Sequence, residues 1–466
     1  MSISNISAPS VLPGLFSQKI TCQADVNALK EKSALLPLYN VCFVGHVDSG
    51  KSTTIARLLF DTGRVAPHVF DKFEKEATAL NKQSFKFAWL LDSAKAERQR
   101  GITISLAHAE WSTDDRYFTL IDAPGHADFM KNMITGASQA DLAVLLIDAQ
   151  KGLVEGLTTE EHLFLVRGSG VTSLIIALNK FNLIPHEHRL DIIKERVEES
   201  LALAKKCGFN PQNVVMVPVN SFDGWNLKNP IPAGELDGWV GPTLLEALND
   251  IPLPQLDADL PLRISIENTF GKIGGTNIVV AGKVMSGVIY PGQEICVKPA
   301  NVFATVRSIE MHNKSIGYGT QGANIGIDLK GIKPEHCTKA SIISDAKDRP
   351  AKSIKQFTVK NAIIKKHPTT LVKGSHMIIH YQTGNCACEV LKIENIVDLT
   401  TGKQTMGQVN NVAPGNLATI TFKPDHDIVI EPVSLHPRNC RVMLRDSNSS
   451  IGLGVVSSVV YSDAQA

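Results

Sequence analysis

From residue 38 onward, short apolar runs alternate with longer segments whose apolar residues recur at helical spacing. Between the later runs, Leu190–Cys207 has the pattern of an amphipathic helix. Alternation of this kind predicts a parallel sheet with helices on both faces. The segment Ala107–Ala123, with Asp114 and Asp115 at its centre, instead predicts a hairpin. The predicted strands are Tyr39–Val44, Tyr117–Ile121, Leu142–Asp148, Ser173–Leu178 and Val214–Val219.

The pattern changes near Ile251, where a Pro-containing segment reads as a linker. Beyond it, short β-branched runs are separated by Gly, Pro and Asn, and helical periodicity is weak, which favours closed β-barrels. We therefore predict one α/β domain followed by two antiparallel β-barrel domains. The expected boundaries are an N-terminal extension at 1–36, the α/β domain at 37–252, and barrels at 253–348 and 349–466.

Composition adds little to this picture but excludes several classes of protein. The 466 residues are 43% hydrophobic and 20% charged, as in a globular protein of several domains, and no apolar run could span a bilayer. The first twenty residues have neither the regions of a secretory signal nor an Arg. Eight scattered cysteines indicate neither a zinc site nor a disulfide framework, so we expect a cytoplasmic protein. A net charge of +1 decides nothing about nucleic acid, which a local basic face can still bind.

The loop Gly45-His-Val-Asp-Ser-Gly-Lys-Ser52 fits the pattern G-x-x-x-x-G-K-[ST]. It follows a predicted strand and opens a predicted helix, which is the context that a phosphate-binding loop requires. Its glycines let backbone N–H groups face phosphate oxygens, and the helix presents its positive end to the same anion. We expect Lys51 to reach the β- and γ-phosphates and Ser52 to ligate Mg²⁺. The predicted phosphate-binding residues are Gly45, His46, Val47, Asp48, Ser49, Gly50, Lys51, Ser52 and Thr53.

A second motif, Asp122-Ala-Pro-Gly-His126, ends the predicted hairpin. Asp122 is expected to hold the Mg²⁺ shell, and Gly125 can approach a γ-phosphate because it has no side chain. His126 then stands where a residue must orient the attacking water. Thr103, between the two motifs, is expected to close over Mg²⁺ and the γ-phosphate and to let go after hydrolysis.

The base site departs from the usual pattern. Asn179-Lys180-Phe181-Asn182 follows a predicted strand, but GTPases usually carry Asp where this chain has Asn182. An amide offers one acceptor and one donor, so one guanine donor would face another donor, at a cost of roughly 2–4 kcal/mol, or about 30- to 1000-fold in affinity. The last base-contacting loop contributes Asn220, or Ser221 if the register shifts by one residue, followed by Phe222. Either guanine binds more weakly through the remaining contacts, which we favour, or nucleotide handling has changed.

Several longer stretches closely resemble the elongation factor 1-alpha family of translational GTPases. The resemblance is specific over residues 38–150 and weaker beyond. The matching stretches are Gly45–Thr53, Lys72–Ala77, Ser84–Trp89, Lys95–Ile104, Asp122–Gly136 and Ala137–Asp141.

This resemblance implies an α/β P-loop GTPase domain followed by two antiparallel β-barrel domains. It also implies a monomeric, ribosome-stimulated GTPase that uses GTP/GDP and Mg²⁺ and carries aminoacyl-tRNA to the ribosomal A site. It implies a guanine-nucleotide exchange factor as a further partner, and no membrane. His126 would be positioned by the ribosome, with Val47 and Ile102 as an apolar gate beside it. Glu310 would pack on the terminal adenosine of tRNA, or be a plain exposed Glu.

Sister families with a protein cargo, the termination and ribosome-rescue GTPases, remain alternatives. They tend to have Ala where this chain has Ser49 and Pro where it has Lys131, so both positions favour tRNA delivery. The short loop at Lys151–Glu161 and a diverged third domain keep rescue or termination open, as does a paralogue with altered nucleotide specificity.

Overall fold

The computed structural model describes residues 38–65, 68, 70–71, 75, 87, 91, 103, 106–113, 116–126, 129–153, 156–252, 260–271, 277–312, 314–364, 370–446 and 450–462. The predicted extension at 1–36, Ile102 and most of the linker lie outside these residues. The chain divides into two compact units, one containing a six-stranded sheet and the other containing two seven-stranded sheets. No helix within the described ranges is long and apolar enough to cross a membrane.

The first unit contains a mixed sheet with the strand order β2-β3-β1-β4-β5-β6. Only β2 runs antiparallel, pairing with β3 as the predicted hairpin. The strands are β1 (Leu38–Gly45), β2 (Ala107–Ser112), β3 (Tyr117–Asp122), β4 (Leu142–Asp148), β5 (Ser173–Asn179) and β6 (Val214–Val219). The helices are α1 (Lys51–Asp61), α2 (Met130–Gln139), α3 (Gly156–Gly168), α4 (Arg189–Lys206) and α5 (Leu244–Asp250).

The central strands are continuous apolar runs because both of their faces are covered. Seven of the eight residues of β1 are buried, and so are all six of β3. Helix α1 packs Ile55, Leu58 and Leu59 into the core cluster that contains Val41 and Phe43 of β1. This rigid sheet fixes the positions of the loops that leave its strand ends.

In the second unit, the first seven-stranded sheet has the order β10-β15-β7-β8-β14-β11-β12, and an extra β10–β11 pairing closes six strands into a ring. All of these pairings are antiparallel. Its strands are β7 (Arg263–Gly271), β8 (Asn277–Ser286), β10 (Glu294–Lys298), β11 (Val302–Met311), β12 (Lys314–Ile316), β14 (Asn324–Lys330) and β15 (Ile342–Asp345), with the short pair β9 (Val288–Ile289) and β13 (Gly319–Thr320) beside them.

The second ring closes in the same way, through the order β18-β23-β24-β16-β22-β19-β20 and an extra β18–β19 pairing. Its core contains Phe357 stacked on Phe422, with the ring centroids 5.3 Å apart. The predicted fold class is therefore confirmed. The strands are β16 (Ile354–Ile364), β18 (His376–Tyr381), β19 (Gly384–Asp398), β20 (Gln404–Val409), β22 (Asn416–Pro424), β23 (Arg441–Arg445) and β24 (Ser450–Tyr461), with the short pair β17 (Leu371–Val372) and β21 (Asn411–Val412).

Candidate nucleotide-binding site

The predicted site residues lie where parallel strands end. Strands β1, β3, β4, β5 and β6 run in one direction, so their carboxyl ends meet at one edge of the sheet. Open α/β sheets bind ligands at this edge. Gly45, Asp122 and Asn179 are the last residues of β1, β3 and β5.

The loop between β1 and α1 has an unusual backbone. Positive φ angles occur at Gly45 (145°), Asp48 (63°) and Gly50 (98°). Such conformations turn successive backbone N–H groups toward one concave side, as in anion-binding nests. The N-terminus of α1 follows directly, so the loop and the helix together suit a phosphate group.

Lys51 begins α1 and is folded back over the loop. Its Nζ donates hydrogen bonds to Gly45 O at 2.9 Å and to His46 O at 2.8 Å. The side chain is only 7% exposed. This burial lowers the pKa of Lys51 to about 8, although the Asp122 and Asp48 carboxylates oppose the shift. The carbonyls of the loop thus hold the ammonium group close to the predicted phosphate position.

Three oxygen-bearing side chains meet beside this lysine. Ser52 Oγ donates to Asp122 Oδ2 at 2.5 Å and lies 3.3 Å from Thr103 Oγ1. Asp122 is completely buried. Hydroxyl and carboxylate oxygens are the ligands that Mg²⁺ prefers, so this donor set fits the metal. All three residues predicted to ligate Mg²⁺ are therefore neighbours.

Gly125 lies directly against the phosphate loop. A Cβ atom at this position would stand 2.7 Å from Gly45 O and 2.5 Å from Lys51 Nζ, too close for any side chain. His126 follows; it is partly exposed, and its ring centroid is 5.9 Å from that of Phe129. Of the two predicted gate residues, Val47 lies in the phosphate loop and is partly exposed, whereas Ile102 is outside the described residues.

Asn179 links the phosphate loop to the predicted base-binding segments. Its Nδ2 donates to Ser49 O at 2.8 Å, and its Oδ1 accepts from Lys180 N at 2.9 Å and Ser221 N at 3.0 Å. Gly50 permits this approach, because a Cβ atom there would collide with Asn179 Nδ2. One buried amide therefore ties together three segments distant in sequence.

The two residues proposed for the last base-contacting loop have different contacts in the structure. Ser221 reaches the site through its backbone N–H, and its hydroxyl lies 2.7 Å from Thr54 Oγ1 of α1. Asn220 instead closes its own turn, with Nδ2 donating to Asp223 Oδ2 at 2.6 Å. The structure therefore brings Ser221, rather than the Asn220 side chain, against Asn179, and which of the two contacts a base stays a prediction. Phe222 is exposed, and its carbonyl accepts from Arg57 Nη1 at 2.7 Å.

The remaining base-site residues follow β5. Lys180 has a positive φ of 64°, and its Nζ pairs with Asp148 Oδ2 at 2.9 Å. Asn182 lies in a one-turn 3₁₀ helix, Phe181–Leu183, and its backbone carbonyl accepts from Arg189 Nη2 at 2.9 Å.

Sequence reasoning missed two polar residues at this edge. Asp148, which pairs with Lys180, could have been noticed because it ends the apolar strand β4 at the same edge. His162 lies on α3 and is buried; burial first, then the charges of Lys51 and His46, lowers its pKa to about 3. Nothing local in the sequence marks His162, because its place beside the loop depends on how α3 packs.

Comparison with protein families gives two matches. The sequence model of the elongation factor Tu GTP-binding domain matches residues 36–253, and that of the GTP-eEF1A C-terminal domain-like family matches residues 356–457. The elongation factor 1-alpha of Methanosarcina mazei is 37% identical over 423 residues, which cover 91% of this chain and 98% of the relative. That of Picrophilus torridus is 37% identical over 418 residues, covering 90% and 97% of the two chains.

Two solved structures are similar in fold. The GTPase-like domain of S. cerevisiae Ski7, bound to GDP and inorganic phosphate, has a TM-score of 0.73 at 18% identity, covering 94% of this chain and 100% of that chain. Elongation factor SelB from Methanococcus maripaludis, with the GTP analogue GPPNHP, has a TM-score of 0.65 at 18% identity, covering 90% and 79%.

The family match extends over nearly the whole chain, and the residues of the phosphate and magnesium motifs meet at one edge of the sheet. GTP and GDP, with Mg²⁺, are the cofactors of this family. The chain belongs, as a divergent member, to the elongation factor 1-alpha family of translational GTPases, and it is a GTP-hydrolysing enzyme.

Proposed function

We infer that this GTPase delivers aminoacyl-tRNA to the ribosomal A site in its GTP-bound form, and that an exchange factor then replaces GDP. The 37% sequence identity with an archaeal elongation factor 1-alpha, over 91% of the chain, supports this role. We place the nucleotide-binding domain at 37–252 and the two barrels at 253–348 and 349–466, and we expect the protein to act in the cytoplasm as a monomer.

In the proposed mechanism, Lys51 and the backbone of Gly45–Ser52 hold the β- and γ-phosphates, and Ser52, Thr103 and Asp122 hold Mg²⁺. When bound there, Mg²⁺ would supply the positive charge that offsets the negative charge of the phosphates. Gly125 faces the γ-phosphate, and His126 orients the attacking water on the ribosome, with Val47 and Ile102 flanking it. Asn179, Lys180, Asn182, Ser221 and Phe222 contact the base, with Asn220 supporting their loop.

We propose that one surface of the first barrel contacts the tRNA. Phe270 of β7 and Val279 of β8 are directly paired and are 58% and 36% exposed. Glu310 of β11 is also exposed, and it pairs with Gly326 of β14. A Cβ atom on Gly326 would touch Val279 Cγ1 at 3.6 Å and Glu310 O at 3.9 Å, so Gly326 leaves a shallow notch between them. An exposed aromatic and apolar surface beside a hydrogen-bonding carboxylate suits a nucleoside, which needs both stacking and an acceptor.

The test is protection of the aminoacyl ester. Protein loaded with a non-hydrolysable GTP analogue, at micromolar concentration, is expected to slow spontaneous deacylation of aminoacyl-tRNA, whereas protein loaded with GDP is not. Glu310→Ala should weaken protection. Glu294→Ala is the matched control, since Glu294 is exposed on the same barrel and pairs only with Lys347 among the described residues.

Absence of protection by nucleotide-loaded protein would contradict tRNA delivery. In that case, recovery of a release-factor-like or rescue-factor-like protein, without tRNA, would favour the protein-cargo alternative.

A further inference from the structure

The residue proposed to contact the C2 position of the purine, Asn182, carries an amide in this chain. We propose that the site binds xanthine nucleotides at least as tightly as guanine nucleotides, because Asn182 matches the C2 carbonyl of xanthine and opposes the C2 amino group of guanine. This inference rests on the proposed nucleotide site and specifies which bases that site accepts.

The backbone at Asn182 is fixed by its surroundings. Phe181 is completely buried, and Leu183 N donates to Lys180 O at 3.0 Å. Arg189 reaches back to this turn, donating from Nη2 to Asn182 O at 2.9 Å and from Nε to Ile184 O at 2.9 Å. The position of residue 182 relative to Asn179 is therefore set by the turn, and cannot easily shift to bring another group forward.

The amide of the Asn182 side chain is available for a ligand. It is partly exposed and forms no hydrogen bond with any residue that the structure describes. Both its Oδ1 acceptor and its Nδ2 donor thus remain for a ligand, in either orientation of the amide.

Among the residues that the structure describes, the carboxylates in contact with this region are already engaged, so none of these takes the role of the missing Asp. Asp148 pairs with Lys180 at 2.9 Å, and Glu235 pairs with Arg189 at 2.5 Å. Asp223 accepts from Asn220 Nδ2 at 2.6 Å. Moving any of them toward a base would break an existing ion pair or hydrogen bond.

The donor and acceptor patterns of the purines then decide the order of affinity. Guanine presents two donors at this edge, N1–H and the 2-amino group, so an amide satisfies one and opposes the other. Xanthine presents N1–H and a C2 carbonyl, and an amide satisfies both. Hypoxanthine presents N1–H alone, which gives one match without a clash. An unsatisfied buried donor is costly, so the expected order is xanthine, then hypoxanthine, then guanine.

The phosphate and magnesium contacts are the same for all three nucleotides. Lys51 and Ser52 begin α1 and Asp122 ends β3; Lys51 donates to the Gly45 and His46 carbonyls, and Ser52 donates to Asp122. Differences in affinity among the three diphosphates therefore report how the site contacts the substituent at C2.

The experiment is competition at fixed Mg²⁺ between a fluorescent guanosine diphosphate and unlabelled XDP, IDP, GDP and ADP, on the full-length protein. The wild type is expected to bind XDP at least as tightly as GDP. Asn182→Asp should invert the order and tighten GDP binding by about 30- to 1000-fold. Asn213→Asp adds the same charge at an exposed position before β6, at the opposite edge of the sheet, and should leave the order unchanged.

A wild type that binds GDP more tightly than XDP would overturn the inference while leaving the nucleotide site intact. Failure of any nucleotide to bind would instead remove the proposed site, and the inference with it. The wild-type ranking is decisive even if the Asp variant does not fold.

Discussion

Polar residues that end buried strands supply much of the chemistry at this site. The motifs were sufficient to predict that Ser52, Asp122 and Thr103 belong together, and the three side chains are neighbours. The motifs could not place Asn220 and Ser221 relative to the site, because the contacts of Ser221 with Thr54 and Asn179 join segments far apart in sequence. Local sequence patterns thus identify a site residue when strand, loop and helix are consecutive in sequence. They do not identify it when its position depends on packing against an element distant in sequence.

At this scale, His126→Ala is expected to reduce ribosome-stimulated GTP hydrolysis by about 10²- to 10⁴-fold, because the attacking water loses the group that orients it. GDP affinity should be unchanged, since the proposed role of His126 concerns the water rather than the diphosphate. Single-turnover phosphate release on ribosomes, together with equilibrium GDP binding, measures both quantities.

His188→Ala is the matched control for that change, because His188 is exposed in the turn before α4. Hydrolysis at the wild-type rate by the His126 variant would rule out the water-orienting role.

The five predicted strands and the predicted helix Leu190–Cys207 of the first unit match the structure to within a residue at each end, because their sequences are dominated by burial. The predicted strand Leu142–Asp148 is identical to β4, and the predicted helix Leu190–Cys207 differs from α4 by one residue at each end. Periodicity does not specify the connections between elements, such as the amide of Asn179 that joins β5 to the loop before α1. Those contacts arise only when the sheet edge is assembled.

Asn179→Ala is expected to destabilise the nucleotide-free protein by about 1–3 kcal/mol, because it leaves the buried Ser221 N–H and Ser49 carbonyl without their partner. It should also weaken GDP binding, since the phosphate loop and the base segments lose their common support. Thermal unfolding followed by tryptophan fluorescence is suitable, since all four Trp lie between residues 89 and 239.

Asn213→Ala, at an exposed position, should change neither stability nor affinity. If Asn179→Ala unfolded and bound GDP like the wild type, the linking role of this amide would be wrong.

At the scale of the whole molecule, the short β-branched runs and turn residues predicted two barrels, but they did not predict how the barrels contact each other. Arg263 of the first barrel and Glu431 in the second are 168 positions apart, and form a bidentate pair with distances of 2.7–3.0 Å. Asn439 Nδ2 also donates to this carboxylate, at 3.0 Å. Both charged side chains are nearly buried, with 4% and 9% exposure. No local pattern could have paired these residues, since neither has a neighbour in sequence that marks it.

Glu431→Gln is expected to destabilise the barrels by roughly 3 kcal/mol, because it leaves a buried guanidinium without its counter-charge. Although burial would raise the pKa of Glu431, hydrogen bonds from Arg263 and Asn439 hold it below its usual range. The contribution of this carboxylate to stability is therefore complete above the pKa of an unfolded Glu and is lost as the pH falls below it. Amide hydrogen exchange in β7 and residues 428–440, measured from pH 7 down to about pH 3.5, should show weaker acid dependence in the variant.

Glu294→Gln, which disturbs an exposed pair with Lys347, serves as the control and should leave the exchange unaltered. Equal acid sensitivity of the wild type and the Glu431 variant would show that other carboxylates govern the loss of protection.

A single amide at the end of β5, that of Asn179, is hydrogen-bonded both to the phosphate loop and to the loop that contains Ser221. We expect the phosphate and base contacts of a bound nucleotide to depend on this one side chain. Displacing either loop is then expected to weaken the hydrogen bond that holds the other. We therefore expect that a partner protein which displaces only one of the two loops would release the whole nucleotide, whether or not that loop contacts the base.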